Sequence, residues 1–168
     1  MNQHSAPSTL VSRETPAGLT VIVVHPRERR AKCSVEPLRG RPDFLFVTFP
    51  QPVTTDLTNY VQLGIGGPVL SPEDCSSGLL LLDGTWRLAK RMAPFFSHIP
   101  VRSLPPASTA YPRKSSVCKD PAEGLATIEA LFLALQILGR SVDGLLDHYH
   151  WKNQFLQRNC LDSGRCPV

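Results

Sequence analysis

An aspartate that follows an uninterrupted run of leucines is the residue best placed in this chain to do chemistry. Residues 79–82 are all leucine and lead directly into Asp83 and Gly84. A short apolar run without alternation predicts a strand that is buried on both faces, as in a parallel sheet. Asp83 would then lie at the carboxyl end of that strand, where open α/β sheets bind ligands. The alternative is that Asp83 only caps its own turn.

The next segment predicts a helix. Gly84 allows a sharp exit from the strand, and Thr85 is a suitable N-cap residue. Trp86, Ala89 and Met92 then share one helix face. This spacing predicts that Trp86 packs in the core rather than standing exposed. Three cations of the same helix lie away from that apolar face, namely Arg87, Lys90 and Arg91.

Strand-like and helix-like segments alternate along the chain, which predicts an α/β domain whose largely parallel sheet is flanked by helices. Apolar and β-branched runs predict strands at residues 19–24, 43–49, 79–82 and 100–104. Helical periodicity and capping residues predict helices over residues 85–92, 123–138 and 141–158. The residues between the second and third of these strands, as far as Gln62, carry no clear pattern.

Length and composition suit one folded domain. The chain has 168 residues, of which 42% are hydrophobic and 19% are charged, as is usual for globular proteins. We predict a flexible tail over residues 1–17, a single domain over 18–159 and a loose C-terminal tail over 160–168. The first residues do not resemble a signal peptide, and no apolar run reaches 18 residues. We therefore expect a soluble, cytoplasmic monomer that does not bind membranes.

Cysteine and histidine spacing gives no support for a metal site. The five cysteines are an odd number and no two have CxxC spacing, so neither zinc nor a disulfide framework is expected. His148 and His150 are two residues apart and would not share a helix face. The chain also lacks a GxSxG elbow, a P-loop and a GxGxxG motif. These absences argue against a serine hydrolase, a P-loop NTPase and a dinucleotide-binding fold.

Two polar residues interrupt the predicted long apolar helix. Thr127 and Glu129 would be tolerated there only with hydrogen-bond partners. Glu129 has two sets of candidates, the cations Arg113 and Lys114 in the preceding loop or the backbone amides of that loop. In either case the helix and the loop of residues 107–121 would meet at one site. Loops of this length are often functional.

Basic residues cluster beside turn-rich segments, and the net charge of the chain is +4. Several clusters that converge on one surface would suit a polyanion such as RNA. Their contacts with RNA phosphates would be independent of sequence and sensitive to salt. The residues expected to bind RNA are Arg27, Arg29, Arg30, Lys32, Arg87, Lys90, Arg91, Arg113 and Lys114.

Four motifs, in order along the chain, resemble those of the DTW-domain family. Residues 81–92 contain Asp-Gly-Thr-Trp, which is similar to the Asp-x-Thr-Trp signature of the family. Residues 25–28 (His-Pro-Arg-Glu) resemble its His-Pro-x-Glu element. Residues 111–114 resemble its motif that begins with Tyr and ends in Arg-Lys, and residues 126–131 resemble its Ser-Thr-x-Glu-Ala motif. Together these motifs span most of the predicted domain.

The resemblance implies an enzyme that transfers the 3-amino-3-carboxypropyl group from S-adenosylmethionine to N3 of a uridine in tRNA. It also implies a SPOUT-like fold with a C-terminal trefoil knot. Residues 32–34 (Lys-Cys-Ser) and 70–74 (Leu-Ser-Pro-Glu-Asp) are more similar to the related ribosomal RNA enzymes. Transfer to ribosomal RNA is therefore one alternative, a SPOUT-type RNA methyltransferase is another, and a non-catalytic RNA-binding module is a third.

The same resemblance implies roles for individual residues. Asp83 would accept the uracil N3 proton or orient the base, which requires a suitable pKa. Arg113 and Lys114 would contact the amino-acid carboxylate or an RNA phosphate. The residues expected to bind S-adenosylmethionine are Leu70, Ser71, Asp83, Gly84, Thr85, Leu104, Tyr111, Ala126 and Thr127.

Overall fold

Five parallel strands form the middle of the computed structural model, which describes residues 18–112, 121 and 124–161. The strands are β1 (Thr20–Val24), β2 (Phe44–Thr48), β3 (Tyr60–Leu63), β4 (Gly78–Asp83) and β5 (Val101–Arg102). Their order across the sheet is β2-β1-β4-β3-β5, and every neighbouring pair is parallel. The predicted largely parallel α/β sheet is therefore confirmed.

The two central strands are buried because their sequences are apolar on both faces. All five residues of β1 are buried, and β4 is buried at every position except Leu82, which is half-buried. The two strands pair in a register that places Thr20 opposite Leu79 and Val24 opposite Asp83. Both strands consequently end at the same level, and the chain leaves both at one edge of the sheet.

Helices cover both faces of the sheet. The helices are α1 (Trp86–Met92), α2 (Thr127–Ile137) and α3 (Lys152–Arg158), and four 3-10 helices span Arg30–Lys32, Glu36–Leu38, Pro72–Ser76 and Ala93–Phe96. Ile22, Leu79 and Leu81 pack with α2 and α3 on one face. Val21, Val23 and Leu80 pack with Met92, Phe96 and Ile99 on the other. Among the described residues, no helix is long and apolar enough to span a membrane.

The structure adds one strand that the sequence does not predict and corrects the bounds of two predicted helices. β3 lies within the stretch that carried no clear pattern, although three of its four residues are buried. The second long helix begins at Thr127, because Ala126 has an extended backbone. The last helix is confined to Lys152–Arg158. Residues 143–148 form turns instead, with Gly144 at a φ of +67° that an α-helix does not allow.

The predicted boundaries of the domain lie largely outside the described residues. Residues 1–17 and 162–168 are not described, so the two predicted tails stay predictions. Within the described part, the first strand begins at Thr20 and the last helix ends at Arg158. These limits are compatible with the predicted domain of residues 18–159.

Gly78, the first residue of β4, is expected to tolerate no side chain. A Cβ at this position would overlap the ring of Tyr60 on the neighbouring strand, and both residues are buried. Gly78→Ala should therefore lower the free energy of unfolding by about 1–3 kcal/mol, measured by urea denaturation. The double variant Gly78→Ala with Tyr60→Leu should recover part of that loss, because the shorter side chain leaves room for the added methyl group. Full stability of Gly78→Ala alone would contradict the close approach.

Candidate active site

A cavity of about 770 Å³ opens at the carboxyl ends of β3, β4 and β5. The cavity lies between α1 and α2, which pack on opposite faces of the sheet. Its lining comprises residues 62–67, Leu81, Leu82, Gly84, Trp86, Ala89, Lys90, Ala93, Val101, residues 103–107, Pro121, Leu125, Thr127 and Ala130. Its position is the one where open α/β sheets bind ligands.

Bare backbone forms one wall of this cavity. A Cβ on Gly67 would overlap the carbonyl oxygen of Val101, and a Cβ on Gly64 would lie 3.0 Å from a methyl group of the same valine. Ser103 fixes the wall by donating a hydrogen bond from its hydroxyl to the Gly67 carbonyl at 2.7 Å. The glycine-rich segment therefore packs directly against the end of β5. Any side chain at Gly67 would displace that segment.

Helix α1 turns a different face to the core than its sequence predicts. Leu88 and Met92 are its buried residues, whereas Trp86 is only half-buried. Trp86, Ala89 and Lys90 instead line the cavity. The prediction that Trp86 packs in the core is therefore wrong. Thr85 is the N-cap residue, as predicted, but its side chain makes no capping hydrogen bond.

The cavity brings together part of the set expected to bind the cofactor. Gly84, Leu104 and Thr127 line it. The other six members lie outside the described lining. Asp83 is buried behind the cavity, Leu70 is in the core, Ser71 precedes a 3-10 helix, Thr85 is exposed, Tyr111 packs edge-on against Trp151, and Ala126 precedes α2. The cavity is also lined by Gln62, Ser103 and Trp86, which the sequence does not predict as site residues. The glycine-rich segment of residues 63–67 is the sequence feature that indicates the first two, because it follows Gln62 and contacts Ser103.

Asp83 lies behind the cavity rather than in its lining. Its side chain is 3% exposed, and the Cys33 thiol donates a hydrogen bond to Oδ2 at a sulfur–oxygen distance of 3.0 Å. Burial, followed by the charge of Asp83, raises the pKa of the Cys33 thiol to about 12. The thiol therefore stays protonated at neutral pH and remains a donor. Asp83 also accepts a bond from the His25 backbone amide through its carbonyl oxygen, at 3.0 Å.

Two further ionisable groups surround Asp83. Burial raises the pKa of the Glu28 carboxyl, and the neighbouring negative charge of Asp83 raises it further. Burial lowers the pKa of His25, as do the nearby cations Arg27 and Arg91. His25 Nδ1 accepts a hydrogen bond from the Arg27 backbone amide at 3.1 Å, which suits the neutral ring. A pair of carboxyl groups therefore lies at the common end of β1 and β4, next to a neutral histidine.

Glu129 holds the loop after β5 against α2 and α3. Its carboxylate is fully buried and accepts hydrogen bonds from the amides of Ala110 at 2.8 Å and Ala126 at 2.9 Å. The hydroxyl groups of Thr109 at 2.6 Å and Tyr149 at 2.8 Å donate to it as well. Burial and the adjacent carboxylate raise the pKa of Tyr149, which keeps that hydroxyl a donor. The predicted loop-amide partner is therefore confirmed at Ala110, while Arg113 and Lys114 lie outside the described residues.

The cations expected to bind RNA are spread over two neighbouring elements. The segment between β1 and β2 and helix α1 carry all of those that the structure describes, and each is exposed: Arg27, Arg29, Arg30, Lys32, Arg87, Lys90 and Arg91. Arg30 donates to Glu36 at 2.8 Å through Nε and is therefore already paired. Arg113 and Lys114 lie outside the described residues, so their predicted roles stay predictions. Among the described residues, no group of three or more His, Cys, Asp or Glu side chains could hold a metal ion.

Comparison with known proteins identifies the family. The DTW domain matches residues 5–157. The chain belongs to the DTW domain family. A search of curated protein sequences finds no match. Among solved structures, the chain is similar to Tsr3 from Vulcanisaeta distributa, which is described as a SAM-dependent rRNA:acp-transferase. The two share 25% sequence identity and superpose with a TM-score of 0.63 over 83% of this chain and 77% of Tsr3.

Loss of the Glu129 charge should destabilise the protein and loosen the loop after β5. In Glu129→Gln the new amide group would face two of the existing donors, so we expect a loss of about 2–4 kcal/mol in the free energy of unfolding. Tyr149→Phe removes only one of the donors described above and should cost about 1 kcal/mol. Urea denaturation measures both values, and hydrogen exchange at Ala110 reports on the loop. Equal stability of the two variants would contradict the conclusion that Glu129 holds the loop after β5 in place.

Proposed function

We propose that this protein transfers the 3-amino-3-carboxypropyl group of S-adenosylmethionine to RNA. The observation that carries the proposal is the cavity between α1 and α2, which lies in a fold similar to that of the SAM-dependent rRNA:acp-transferase Tsr3. The match to the DTW domain supports the same activity. S-adenosylmethionine supplies, when bound, the alkyl group on an electrophilic sulfonium.

The lining of the cavity fits such a molecule in size and chemistry. A volume of about 770 Å³ lies within the usual range for small-ligand sites. Leu63, Leu104 and Leu125 offer apolar surface for an adenine ring or a methyl group. Among the described lining residues none is acidic, and Lys90 is cationic. Lys90 would bind the carboxylate of the amino-acid portion, and backbone carbonyls of the glycine-rich wall would face its amino group.

Several finer features belong to this proposal. The similarity of residues 83–86 (Asp-Gly-Thr-Trp) to the DTW signature favours N3 of a uridine in tRNA as the acceptor. Ribosomal RNA is the second candidate, because it is the substrate named for Tsr3. We also propose a SPOUT-like trefoil knot, which the resemblance of residues 81–92 and 126–131 to the DTW family implies. A cytoplasmic, monomeric enzyme completes the proposal.

We propose that Asp83 acts mainly by positioning the end of β4. Its carboxyl group is 3% exposed and is held by the Cys33 thiol. The next residue, Gly84, lines the cavity with a φ of +154°, which L-residues rarely adopt. Fixing Asp83 therefore fixes the turn that carries the start of α1. The direct proton acceptor expected from the sequence is the competing role.

Binding of S-adenosylmethionine should raise the melting temperature. At a hundredfold excess over Kd, the expected rise is about 5–10 °C for a domain of this size. Ala89→Phe would fill the cavity and should remove this rise. Arg87→Phe adds a similar ring to the exposed side of the same helix and serves as the matched control. No rise in the unaltered protein would contradict the proposal and favour a non-catalytic RNA-binding module.

The product identifies the reaction and the acceptor. Purified tRNA and ribosomal RNA, each isolated from a deletion strain, are incubated with the protein and S-adenosylmethionine and then digested to nucleosides. Mass spectrometry should show a uridine that carries an aminocarboxypropyl group. A methylated nucleoside would instead indicate a methyltransferase. The RNA pool that contains the adduct decides between tRNA and ribosomal RNA.

Asp83→Asn separates the two roles of this residue. Asparagine keeps an acceptor for the Cys33 thiol, so as a positioning variant it should lower the single-turnover transfer rate less than about tenfold, with its pH profile unchanged. Removing a general base would instead cost about 10²–10⁴-fold and leave binding of S-adenosylmethionine intact. Asp83→Ala leaves a buried thiol without its acceptor and should cost about 1–3 kcal/mol of stability. A large rate loss in Asp83→Asn would overturn the positioning role.

A further inference from the structure

Phe95 is the most exposed large hydrophobic residue of the described chain, with 63% of its surface accessible. Its ring packs edge-on against Phe49, with centroids 4.9 Å apart and an interplanar angle of 77°. Phe49 in turn stacks on His25, with centroids 5.9 Å apart and an angle of 21°. The Phe95 ring is thus held from one side, and an aromatic face remains available to solvent.

Three arginines lie on the protein surface near Phe95. Arg87 and Arg91 lie four residues apart in α1, which places them in one row, and Phe95 follows in the 3-10 helix after it. Phe95 lies near Arg91 because it contacts Phe49, which stacks on His25, and Arg91 lowers the pKa of His25. Both arginines are exposed. Arg27, from the segment after β1, lies near the same place, since it and Arg91 both influence the charge state of His25. No acidic residue occurs between positions 84 and 102 of the sequence.

The row formed by Arg87 and Arg91 runs beside a second row of α1 residues, which lines the cavity. Trp86 and Lys90 are each one residue before Arg87 and Arg91, and both face the cavity. Successive residues on a helix are about 100° apart, so the two rows are neighbours on α1. If one unit of a polymer enters the cavity, the neighbouring units would therefore cross the row of Arg87 and Arg91, and a more distant unit would reach Phe95.

We propose that this surface binds a single-stranded RNA segment next to the target nucleotide, with a flanking base stacked on Phe95 and its phosphates on Arg87 and Arg91. This inference rests on the proposed function, because it takes RNA as the substrate of the cavity. Single-stranded nucleic acids are bound in this way, by aromatic side chains that stack on bases beside cations that follow the backbone. A protein partner would need acidic groups opposite the arginines, whereas RNA offers both phosphates and flat apolar rings.

The test uses a fluorescein-labelled, uridine-containing single-stranded 12-mer RNA and measures binding by anisotropy at fixed salt. Stacking on an exposed ring predicts that Phe95→Ala weakens binding about fivefold or more. Phe95→Leu keeps an apolar side chain but no aromatic face and should show a similar loss. Phe95→Trp should bind RNA normally, and unlabelled RNA should quench its tryptophan fluorescence more than that of the unaltered protein, which already contains Trp86 and Trp151. Val69→Ala, which trims another exposed side chain with 56% accessibility, is the matched control and should bind normally.

The outcomes separate this inference from the proposed function. Normal binding by both Phe95→Ala and Phe95→Leu would overturn the stacking role, even where the unaltered protein binds RNA and S-adenosylmethionine. Normal binding by Phe95→Leu alone would indicate plain apolar packing and would also overturn it. If the unaltered protein shows the thermal shift with S-adenosylmethionine but no affinity for RNA, both ideas fail for RNA while the cofactor site stands. In transfer assays Phe95→Ala should raise KM for RNA and leave kcat unchanged.

Discussion

The register between β1 and β4 is the constraint on which the site depends. It sets Val24 opposite Asp83, so the two central strands end at one level. From that level the chain continues through His25 on one side and through Gly84 into α1 on the other. The Cys33 thiol, from the segment after β1, then reaches Asp83. A slip of one residue would turn Asp83 to the opposite face of the sheet, so a single pairing fixes both the carboxyl group and the start of α1.

A second buried carboxylate fixes the opposite wall of the cavity. Within the described residues Glu129 accepts four hydrogen bonds, from groups of the loop after β5, the N-terminus of α2 and the segment before α3. A buried charge is costly unless donors surround it, and these donors come from three separate parts of the chain. The charge is thus compensated only when all three parts are in place. This makes the wall on the α2 side depend on tertiary structure rather than on local sequence.

The sequence predicts the sheet well because apolar β-branched runs have few alternatives in a folded domain. It predicts β3 poorly, since the buried residues of Tyr60–Leu63 include a tyrosine and a glutamine and follow a polar segment. The sequence predicts too long a last helix, because Leu145 and Leu146 have the spacing of a buried helix face. In the structure these two leucines are buried, but they lie in turns. In the candidate site, motif resemblance finds Gly84 and Thr127, which are close to strand and helix ends. It misses Trp86, since only the orientation of α1 determines which of its faces lines the cavity.

That orientation gives α1 three separate faces over only seven residues. Leu88 and Met92 anchor it to the sheet, Trp86 and Lys90 face the cavity, and Arg87 and Arg91 face solvent. The spacing between the cavity row and the solvent row is fixed by helix geometry. A substrate that touches both rows must therefore span this fixed distance. In our proposal the length and flexibility of the RNA strand, rather than the identity of its flanking bases, decide which uridines reach the cavity.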